Sequence, residues 1–257
     1  MRLDVYLTEN GFADSRTEAK KLIQSGSVTL SGKEVTKPAY EVDGTEDIKV
    51  NNVRKKYASR GGFKLEGAIE AFDFRVEGAL ALDVGASSGG FTDCLLQNGA
   101  KHVISVDSGF GQMVEFLRRD DRVTVIEKFN ARYMTAADLE YTPTLAVMDV
   151  SFISQTLIIG KIPAILRENG VFVSLIKPQF EAGRQAVGKG GIVKSAADRE
   201  AAVLRVIDFS GSVGLVCTGL IASPIKGGDG NTEFLACFSR IGVPISRETV
   251  RKTVRGA

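Results

Sequence analysis

The sequence has little with which to build a disulfide framework or a zinc site. Its 257 residues contain one histidine and three cysteines, and Cys94, Cys217 and Cys237 are far apart and form no CxxC pair. This spacing excludes a small disulfide-stapled domain and a cysteine-rich zinc centre. A metal would have to be held by carboxylates, so we predict no bound metal. We expect His102, which opens an apolar strand, to be structural.

The chain also lacks a segment that could direct it to a membrane. The first fifteen residues carry four charged side chains, so the apolar core of a signal peptide is absent. No run of about eighteen apolar residues occurs, which excludes a membrane-spanning helix. Hydrophobic residues make up 44% of the chain and charged residues 25%, an ordinary soluble composition. We therefore expect a cytoplasmic protein without a membrane partner.

Positive charge is concentrated near the N-terminus, although the net charge is only +2. Residues 1–60 hold eleven Lys and Arg against nine Asp and Glu, whereas the rest of the chain holds twenty-two of each. The stretch "VRKKYASRGGFK" contains no acid and five basic residues, namely Arg54, Lys55, Lys56, Arg60 and Lys64. A solvated linker and a nucleic-acid contact both explain such a run.

The residues before this basic run have the pattern of a small module with two helices and a few strands. A capping box from Ser15 to Glu18 opens the second helix, and Gly26 ends it. The pieces "SVTL", "KEV" and "DIKV" that follow are β-like. On the second helix Arg16 and Lys20 share one face, next to Lys21. This face could bind an RNA phosphate backbone or simply be a charged, solvated surface.

After the basic run, apolar strands alternate with helical segments. The strands are "ALALDV", "HVISVD", "VTVI", "TLAVMDV" and "VFVSLIK", and this alternation predicts a parallel sheet with helices on both faces. Two further strands, "LVCTGLIAS" and "TEFLACFSRI", are joined only by the turn "PIKGGDGN", which requires an antiparallel pair. The predicted fold class is therefore α/β, with five parallel strands and an antiparallel terminal hairpin, unlike the six parallel strands of a nicotinamide-binding sheet.

A glycine-rich loop, "LDVGASSGGF", follows the first of these strands. Its glycines let backbone approach a ligand closely, and a helix starts near Gly89 and directs its amides at the same place. Asp83 suits a cationic ligand such as S-adenosylmethionine and would repel a pyrophosphate. Asp107 ends the second strand, where a carboxylate can accept hydrogen bonds from ribose hydroxyls. The candidate cofactor residues are Asp83, Gly85, Ala86, Ser87, Gly89, Gly90 and Asp107.

The segment from Gly183 to Lys189 matches the phosphate-loop pattern GxxxxGK. Residue 190 is glycine, however, where Ser or Thr should hold magnesium, and five residues separate the segment from its strand. We therefore reject a nucleotide triphosphatase. The stretch "GRQAVGKGGIVK" is interpreted as a mobile lid whose Arg184, Lys189 and Lys194 contact substrate phosphates, or as a plain flexible loop.

Two charged residues end neighbouring strands of the predicted sheet. Asp149 follows the fourth strand and Lys177 the fifth, so both belong to the crevice at the carboxyl ends of the strands and should be neighbours. A structural ion pair would explain these two residues alone. Lys64 in the basic run and Glu233 before the last strand extend the set to a Lys-Asp-Lys-Glu quartet.

Seven motifs in order resemble the TlyA family, over nearly the whole chain. They are "SRGGFKLEGAI", "LDVGASSGGFTD", "VISVDSGFGQ", "MDVSFIS", "LIKPQFEAGR", "GKGGIV" and "GNTEF". The resemblance implies an RNA-binding domain of the ribosomal-protein S-four type at residues 1–57, a basic linker at 58–64 and an FtsJ-like, Rossmann-like methyltransferase domain at 65–245. A basic tail at 246–257 would contact RNA or be disordered.

The resemblance also implies the reaction, which is S-adenosylmethionine-dependent methylation of a ribose 2′-hydroxyl in ribosomal RNA, on a cytidine. The family's catalytic quartet falls on Lys64, Asp149, Lys177 and Glu233, and Asn130 and Ala131 would lie beside adenine. Lys177 would contact the hydroxyl, either as a base or as a steering partner. The expected partner is ribosomal RNA or a ribosomal subunit, contacted by Arg16, Lys20, Lys21, Arg54, Lys55, Lys56, Arg60, Arg184 and Lys189.

Two other classes of protein stay open at this stage. One is a non-catalytic RNA-binding or ribosome-assembly factor with a vestigial cofactor pocket, and the other is a dehydrogenase that binds a nicotinamide cofactor. The family is also labelled hemolysin, but the sequence has no membrane-spanning run and no long series of amphipathic strands, so we do not expect pore formation.

Overall fold

The computed structural model describes residues 1–13, 15–24, 26–50, 56–228 and 230–257. The chain divides into two compact units, Met1–Lys56 and Tyr57–Ala257. Two residues of the basic run, Arg54 and Lys55, lie outside the described residues.

The first unit contains two helices and a small antiparallel sheet. Helices α1 (Leu3–Glu9) and α2 (Arg16–Gln24) precede strands β1 (Val28–Leu30), β2 (Lys33–Glu34) and β3 (Ile48–Val50), which lie in the order β2-β1-β3. The amide of Glu18 donates to Ser15 Oγ over 3.2 Å, as the predicted cap of α2 requires. Apolar side chains from both helices and from β1 form one core, with Leu3, Leu7, Ile23 and Val28 fully buried.

A buried carboxylate lies inside this first unit. Asp4 is inaccessible to solvent, and it accepts hydrogen bonds from Arg2 Nε over 2.9 Å and from Arg16 Nη2 over 3.2 Å. The hydrogen bond from Arg2 is the main reason why the pKa of Asp4 falls to about 2. Arg16, which the sequence nominated for RNA contact, therefore also neutralises a buried charge of its own unit.

A seven-stranded sheet forms the centre of the second unit. Its strands are β4 (Leu80–Val84), β5 (His102–Val106), β6 (Val123–Ile126), β7 (Leu145–Met148), β8 (Val171–Ile176), β9 (Val216–Ala222) and β10 (Phe234–Ser239), in the spatial order β6-β5-β4-β7-β8-β10-β9. Strands β4 to β8 are parallel, and β10 runs antiparallel to both β8 and β9. The predicted sheet is thus confirmed, with the last strand inserted between β8 and β9.

Helices cover both faces of this sheet. They are α3 (Gly61–Ala71), α4 (Gly90–Gln97), α5 (Glu115–Arg118), α6 (Thr156–Ile159), α7 (Ile162–Ile165), α8 (Pro178–Glu181), α9 (Ala196–Ser212) and α10 (Arg247–Arg255). Successive residues of β4 face opposite sides: Ala81 shares a buried cluster with Leu65 and Leu95, whereas Leu82 shares one with Val203 and Val250. Two apolar cores therefore hold the sheet between helical layers.

Two polar segments that the sequence suggested to be a linker and a tail contain helices. Residues 61–64 of the basic segment form the first turn of α3, and the segment belongs to the second unit. Residues 246–257 contain α10, in which Val250 and Val254 are buried and Arg247 pairs with Asp208 of α9 at 3.0 Å. Two apolar residues four apart make a narrow buried stripe that a mostly charged composition conceals.

Within the described residues no helix is long and apolar enough to cross a membrane, and no group of three or more metal-ligating side chains occurs. The three cysteines are buried and none is disulfide-bonded, and burial raises the pKa of Cys217 to about 12. His102 Nδ1 lies 3.1 Å from the hydroxyl of Tyr141, at the start of β5.

Candidate active site

The loop between β4 and α4 needs glycine at two positions. Gly85 has a φ of +86°, and a Cβ there would lie 2.5 Å from the carbonyl oxygen of Asp149. Gly89, with a φ of +94°, caps α4, and a Cβ there would lie 2.3 Å from Leu117 Cδ1. Side chains other than hydrogen rarely tolerate such φ angles. The loop can therefore bring its backbone directly against the residue that follows β7.

Asp107, just after β5, holds this loop in place. Its Oδ2 accepts a hydrogen bond from the amide of Ser87 over 2.8 Å, and its Oδ1 accepts one from the amide of Gly109 over 2.6 Å. Each carboxylate oxygen keeps a further lone pair for a hydroxyl donor. Asp107 therefore shapes the loop and can still accept hydrogen bonds from a ligand.

A cavity of about 350 Å³ lies at the carboxyl ends of the central strands. Five candidate cofactor residues line it, namely Gly85, Ser87, Asp107, Asn130 and Ala131. Apolar side chains form much of the remaining wall, namely Val106, Phe129, Val150, Phe152, Ile153 and Ile158. Polar and apolar groups thus share the wall, so that a small cofactor could be held both by hydrogen bonds and by apolar contacts.

Asp83 and Gly89 do not line this cavity or the second one described below. Asp83 is fully buried, and Thr92 Oγ1 of α4 donates to its Oδ2 over 2.7 Å. Burial is the main cause that raises the pKa of Asp83 to about 7. The sequence argument put this carboxylate against a cationic ligand, but its hydrogen bond to α4 places it beneath the loop instead.

A second cavity, of about 170 Å³, adjoins the first. The two cavities share wall residues Gly85, Ser87, Asp149 and Ser151. The wall of the second also contains two lysines of the quartet and two further candidate cofactor residues, namely Lys64, Lys177, Ala86 and Gly90. The two lysines of the quartet therefore line the smaller cavity, which shares a wall with the larger one.

The quartet forms two short ion pairs. Lys64 Nζ lies 2.6 Å from Glu233 Oε2, and Lys177 Nζ lies 2.6 Å from Asp149 Oδ1. Lys64, Lys177 and Glu233 are buried, and the Asp149 side chain is 20% exposed. In such surroundings an ion pair is screened far less than at the surface. The predicted topology made Asp149 and Lys177 neighbours, and they form an ion pair. The sequence left open which lysine Glu233 holds, and in the structure it holds Lys64.

The quartet is contacted by two residues, Ser151 and Gln179, that the sequence did not point to. Lys177 Nζ donates a hydrogen bond to Ser151 Oγ over 2.7 Å, and its close contact with Asp149 Oδ1 lacks hydrogen-bond geometry. Gln179 Nε2 donates to Glu233 Oε1 over 3.2 Å. Both residues occur in motifs already singled out, "MDVSFIS" and "LIKPQFEAGR". Their proximity to the charged strand ends was the signal that could have identified them.

Phe152 is an unusual apolar residue at this site. Its side chain is 92% exposed, and its φ of +63° is rare for a residue with a side chain. The ring lies 5.2 Å from that of Phe180, and both rings line a third cavity with Gln179 and Arg184. An exposed ring held in a strained conformation beside charged groups points to ligand contact rather than to the core.

A buried carboxylate joins the loop that carries Phe152 to α8. Glu181 accepts hydrogen bonds from Ser154 Oγ over 2.6 Å and from the amide of Gln155 over 2.8 Å. Its own carbonyl oxygen accepts from Arg205 Nη1 over 2.6 Å, and burial raises its pKa. These contacts fix the loop after β7 relative to the helix after β8.

The basic residues nominated for RNA contact differ in their surroundings. Lys20 and Lys21 lie exposed on α2, while Arg184 and Lys189 are exposed in the second unit. Arg60 donates to the carbonyl oxygen of Lys226 over 2.7 Å. Lys56 lies exposed at the end of the first unit.

The segment interpreted as a mobile lid is attached to the turn before Glu233. Asn231, which is buried, accepts a hydrogen bond from the amide of Val193 over 3.1 Å and donates to the carbonyl oxygen of Gly191 over 2.9 Å. These bonds tie residues 191–193 to the turn that leads into the quartet, so this part of the segment is held rather than free.

Comparisons with known proteins match both units. The FtsJ-like methyltransferase family model matches residues 57–240, and the S4 domain model matches residues 1–48. Hemolysin A of Brachyspira hyodysenteriae is 44% identical over 93% of this chain and 99% of its own. The 16S/23S rRNA (cytidine-2'-O)-methyltransferase TlyA of Mycobacterium tuberculosis is 40% identical over 91% of this chain and 87% of its own. A solved structure from Streptococcus thermophilus, named as a hemolysin, has a TM-score of 0.78 at 40% identity and covers 100% of this chain and 94% of its own.

Proposed function

The chain belongs to the TlyA family of FtsJ-like methyltransferases, and from this premise we propose that it transfers a methyl group from S-adenosylmethionine to a ribose 2′-hydroxyl of a cytidine in ribosomal RNA. The observation that carries the proposal is the convergence of Lys64, Asp149 and Lys177 on one small cavity, with Glu233 paired to Lys64. Two short ion pairs beside an adjoining cofactor-sized cavity suit a reaction that must both orient and deprotonate a hydroxyl.

The larger cavity fits the proposed cofactor. Asp107 would accept hydrogen bonds from the ribose hydroxyls, and Asn130 and Ala131 would lie beside the adenine. The glycine loop approaches Asp149 closely, so its backbone atoms form part of the wall of the larger cavity. The methionine part of S-adenosylmethionine would lie along this part of the wall. When bound there, S-adenosylmethionine supplies an electrophilic methyl group on a positively charged sulfur.

Lys177 is assigned the contact with the ribose hydroxyl. Its ammonium lies in the wall of the smaller cavity, and Asp149 and Ser151 fix the direction of Nζ. The ribose hydroxyl accepts a hydrogen bond from the Lys177 ammonium, which orients it for attack, and its proton passes to the Asp149 carboxylate beside that ammonium. Ser151 therefore contributes to the orientation of the hydroxyl through Lys177.

Lys64 is assigned the stabilisation of negative charge that develops on the hydroxyl oxygen. It lies in the wall of the same cavity, and Glu233 holds its ammonium at 2.6 Å. Preorganised charge in a site with little water is effective because it needs no reorganisation during the reaction. Gln179, bonded to the other oxygen of Glu233, keeps that carboxylate in place.

Two features support RNA as the substrate. The first unit matches the S4 domain, and Lys20 and Lys21 are exposed on α2, where they could contact phosphates. In the second unit Phe152 exposes its ring beside both the cofactor cavity and Lys177's neighbour Phe180. Unpaired bases stack on aromatic rings of this kind, so Phe152 could hold the base of the target nucleotide.

The test is mass mapping of 2′-O-methylated nucleotides in ribosomal RNA treated with the protein and isotope-labelled S-adenosylmethionine. We expect label on a single class of nucleotide with the natural chain, and none with Lys177→Ala, whose cofactor affinity by calorimetry should stay close to normal. Lys101→Ala, which changes an exposed lysine far along the chain from the quartet, is the matched control and should retain labelling.

The proposal fails if the natural chain binds ribosomal RNA but transfers no methyl group, which is the behaviour of a non-catalytic assembly factor. Retention of a nicotinamide cofactor in place of S-adenosylmethionine would equally contradict it. Normal turnover by Lys177→Ala would leave the reaction intact and overturn the assignment of the quartet.

A further inference from the structure

Four exposed residues at the ends of β5 and β6 form what we call the aromatic rim: Phe110, Lys128, Arg132 and Tyr133. Phe110 follows β5, and the other three follow β6, which is the neighbour of β5 in the sheet. Residues from the same two segments, Asp107 and Ala131, line the larger cavity. The rim is therefore continuous in the chain with one wall of the candidate cofactor site.

Each ring of the rim has a cation over it. Lys128 Nζ lies 4.3 Å from the centroid of Phe110, and the guanidinium carbon of Arg132 lies 5.6 Å from the centroid of Tyr133. The side chains of Phe110 and Tyr133 are 69% and 70% exposed, so most of each ring remains open to solvent. Exposed rings beside cations are not explained by core packing.

The two rim cations differ from the other basic residues of the same segment. Between Asp107 and Tyr133 the structure pairs three arginines with carboxylates, namely Arg118 with Glu127, Arg119 with Glu115 and Arg122 with Asp120. Lys128 and Arg132 make no ion pair with any described residue. Their positive charge is therefore available to a negatively charged partner.

The backbone holds this arrangement in place. Lys128 has a φ of +54°, which is uncommon for a residue with a side chain, and its amide donates to the carbonyl oxygen of Gly109 over 2.9 Å. The amide of Phe129 donates to the carbonyl oxygen of Asp107 over 3.0 Å. These bonds join the segments after β5 and β6, so Lys128 is set over Phe110 by the fold rather than by a flexible loop.

We propose that the aromatic rim binds an unpaired segment of RNA next to the nucleotide that is modified. Bases would stack on Phe110 and Tyr133, and Lys128 and Arg132 would move from the rings to the phosphates. Open rings beside cations that form no ion pair with a described residue are the combination that binds single strands, whereas a duplex keeps its bases stacked inside. The proposal rests on the proposed function for the position of the strand relative to the target nucleotide.

The binding test uses the full chain, a short fluorescent oligocytidylate and a short RNA duplex, each titrated at several salt concentrations. One variant removes both rings, Phe110→Ala with Tyr133→Ala, and another removes both charges, Lys128→Gln with Arg132→Gln. The matched controls are Phe116→Ala, an exposed phenylalanine with no cation of the described residues over its ring, and Arg119→Gln, an arginine paired with Glu115. Calorimetry with S-adenosylmethionine checks that the cofactor site is unaffected.

Each lost ring should weaken binding of the single strand by about 5- to 150-fold, so the variant without both rings should bind it about 25- to 20,000-fold more weakly. Loss of the two charges should reduce the slope of log affinity against log salt by about 1.4, since a contact to single-stranded RNA contributes about 0.7. The controls should bind the oligocytidylate as the natural chain does, and duplex binding should not respond to loss of the rings.

Three results would overturn the proposal. The first is that the rim variants bind the oligocytidylate as tightly as the controls do. The second is that they lose duplex binding and single-strand binding equally. The third is that they lose affinity for the cofactor, which would make the rim part of the cofactor site. Binding to an oligonucleotide does not require methyl transfer. A natural chain that binds through the rim but methylates no ribosomal RNA would therefore contradict the proposed function and not this inference.

Discussion

The buried pair of Lys64 and Glu233 allows structural and catalytic roles to be separated. Glu233→Gln keeps the shape of the side chain but removes its charge. The two side chains are only 10% and 3% exposed, so the Lys64 ammonium would be left buried without a counter-charge. We expect this single change to destabilise the second unit strongly and to abolish methyl transfer.

The size of the effect follows from the geometry. At the observed 2.6 Å, two unit charges attract each other by about 6 kcal/mol with an effective dielectric constant of about 20. The cost of removing both groups from water offsets much of this attraction, and breaking one side of a buried pair typically costs about 3–5 kcal/mol. Adding Lys64→Met removes the stranded ammonium, so the double variant should lie within about 1–2 kcal/mol of the natural chain.

Hydrogen exchange followed by mass spectrometry suits this measurement, because the chain has no tryptophan and two units that need not unfold together. Amides of β8 and β10, which pair with each other, report on opening of the second unit. A loss of about 3–5 kcal/mol should speed their exchange roughly 150- to 5,000-fold, and the double variant should reverse most of it. Arg119→Gln, which breaks an exposed ion pair, is the control and should change exchange by less than about tenfold.

Two outcomes would refute this reasoning. A loss below about 1 kcal/mol in Glu233→Gln would mean that the pair behaves as an exposed one. A double variant as unstable as the single one would mean that the stranded ammonium is not the cause. Recovery of stability without recovery of methyl transfer would separate the stability of the pair from its part in the reaction.

Three further predictions concern other residues. The pKa of Asp83 is raised to about 7, so the folded protein keeps a proton that the unfolded chain loses near pH 4. The free energy of unfolding should therefore fall as the pH rises from about 4 to about 7. Asp83→Asn should flatten that slope in urea titrations followed by circular dichroism, and an unchanged slope would contradict the shift. Gly89→Ala should lower the melting temperature by an amount equivalent to about 1–3 kcal/mol, since its Cβ would lie 2.3 Å from Leu117 Cδ1 and 2.6 Å from Met113 Sδ. An unchanged melting temperature would argue against this crowding. Phe152→Ala should leave the melting temperature unchanged, because its ring is exposed. It should lower kcat/KM for RNA by a factor equivalent to about 1–3 kcal/mol, and an unchanged kcat/KM would exclude base stacking on Phe152.

The strands of the sheet and their directions could be predicted because both depend on local patterns, whereas their spatial order came from the structure. Apolar runs of four to seven residues mark β4 to β10, and the short connection between β9 and β10 requires them to be antiparallel. The helices α3 and α10 were less visible, since α3 begins within the basic run and five of the nine residues of α10 are charged. In α10 only the spacing of Val250 and Val254 records the buried side.

By itself the sequence determined which charged residues end neighbouring strands, and so which residues could meet at one edge of the sheet. This information is local, because a strand and its end are marked by a few consecutive residues. Only the tertiary structure decided that Glu233 holds Lys64, 169 residues away, and that Ser151 binds Lys177. It also placed Asp83 beneath the loop rather than in the cavity wall. Distances of a few ångströms between side chains depend on register and on helix packing across the whole unit, which no short stretch of sequence encodes.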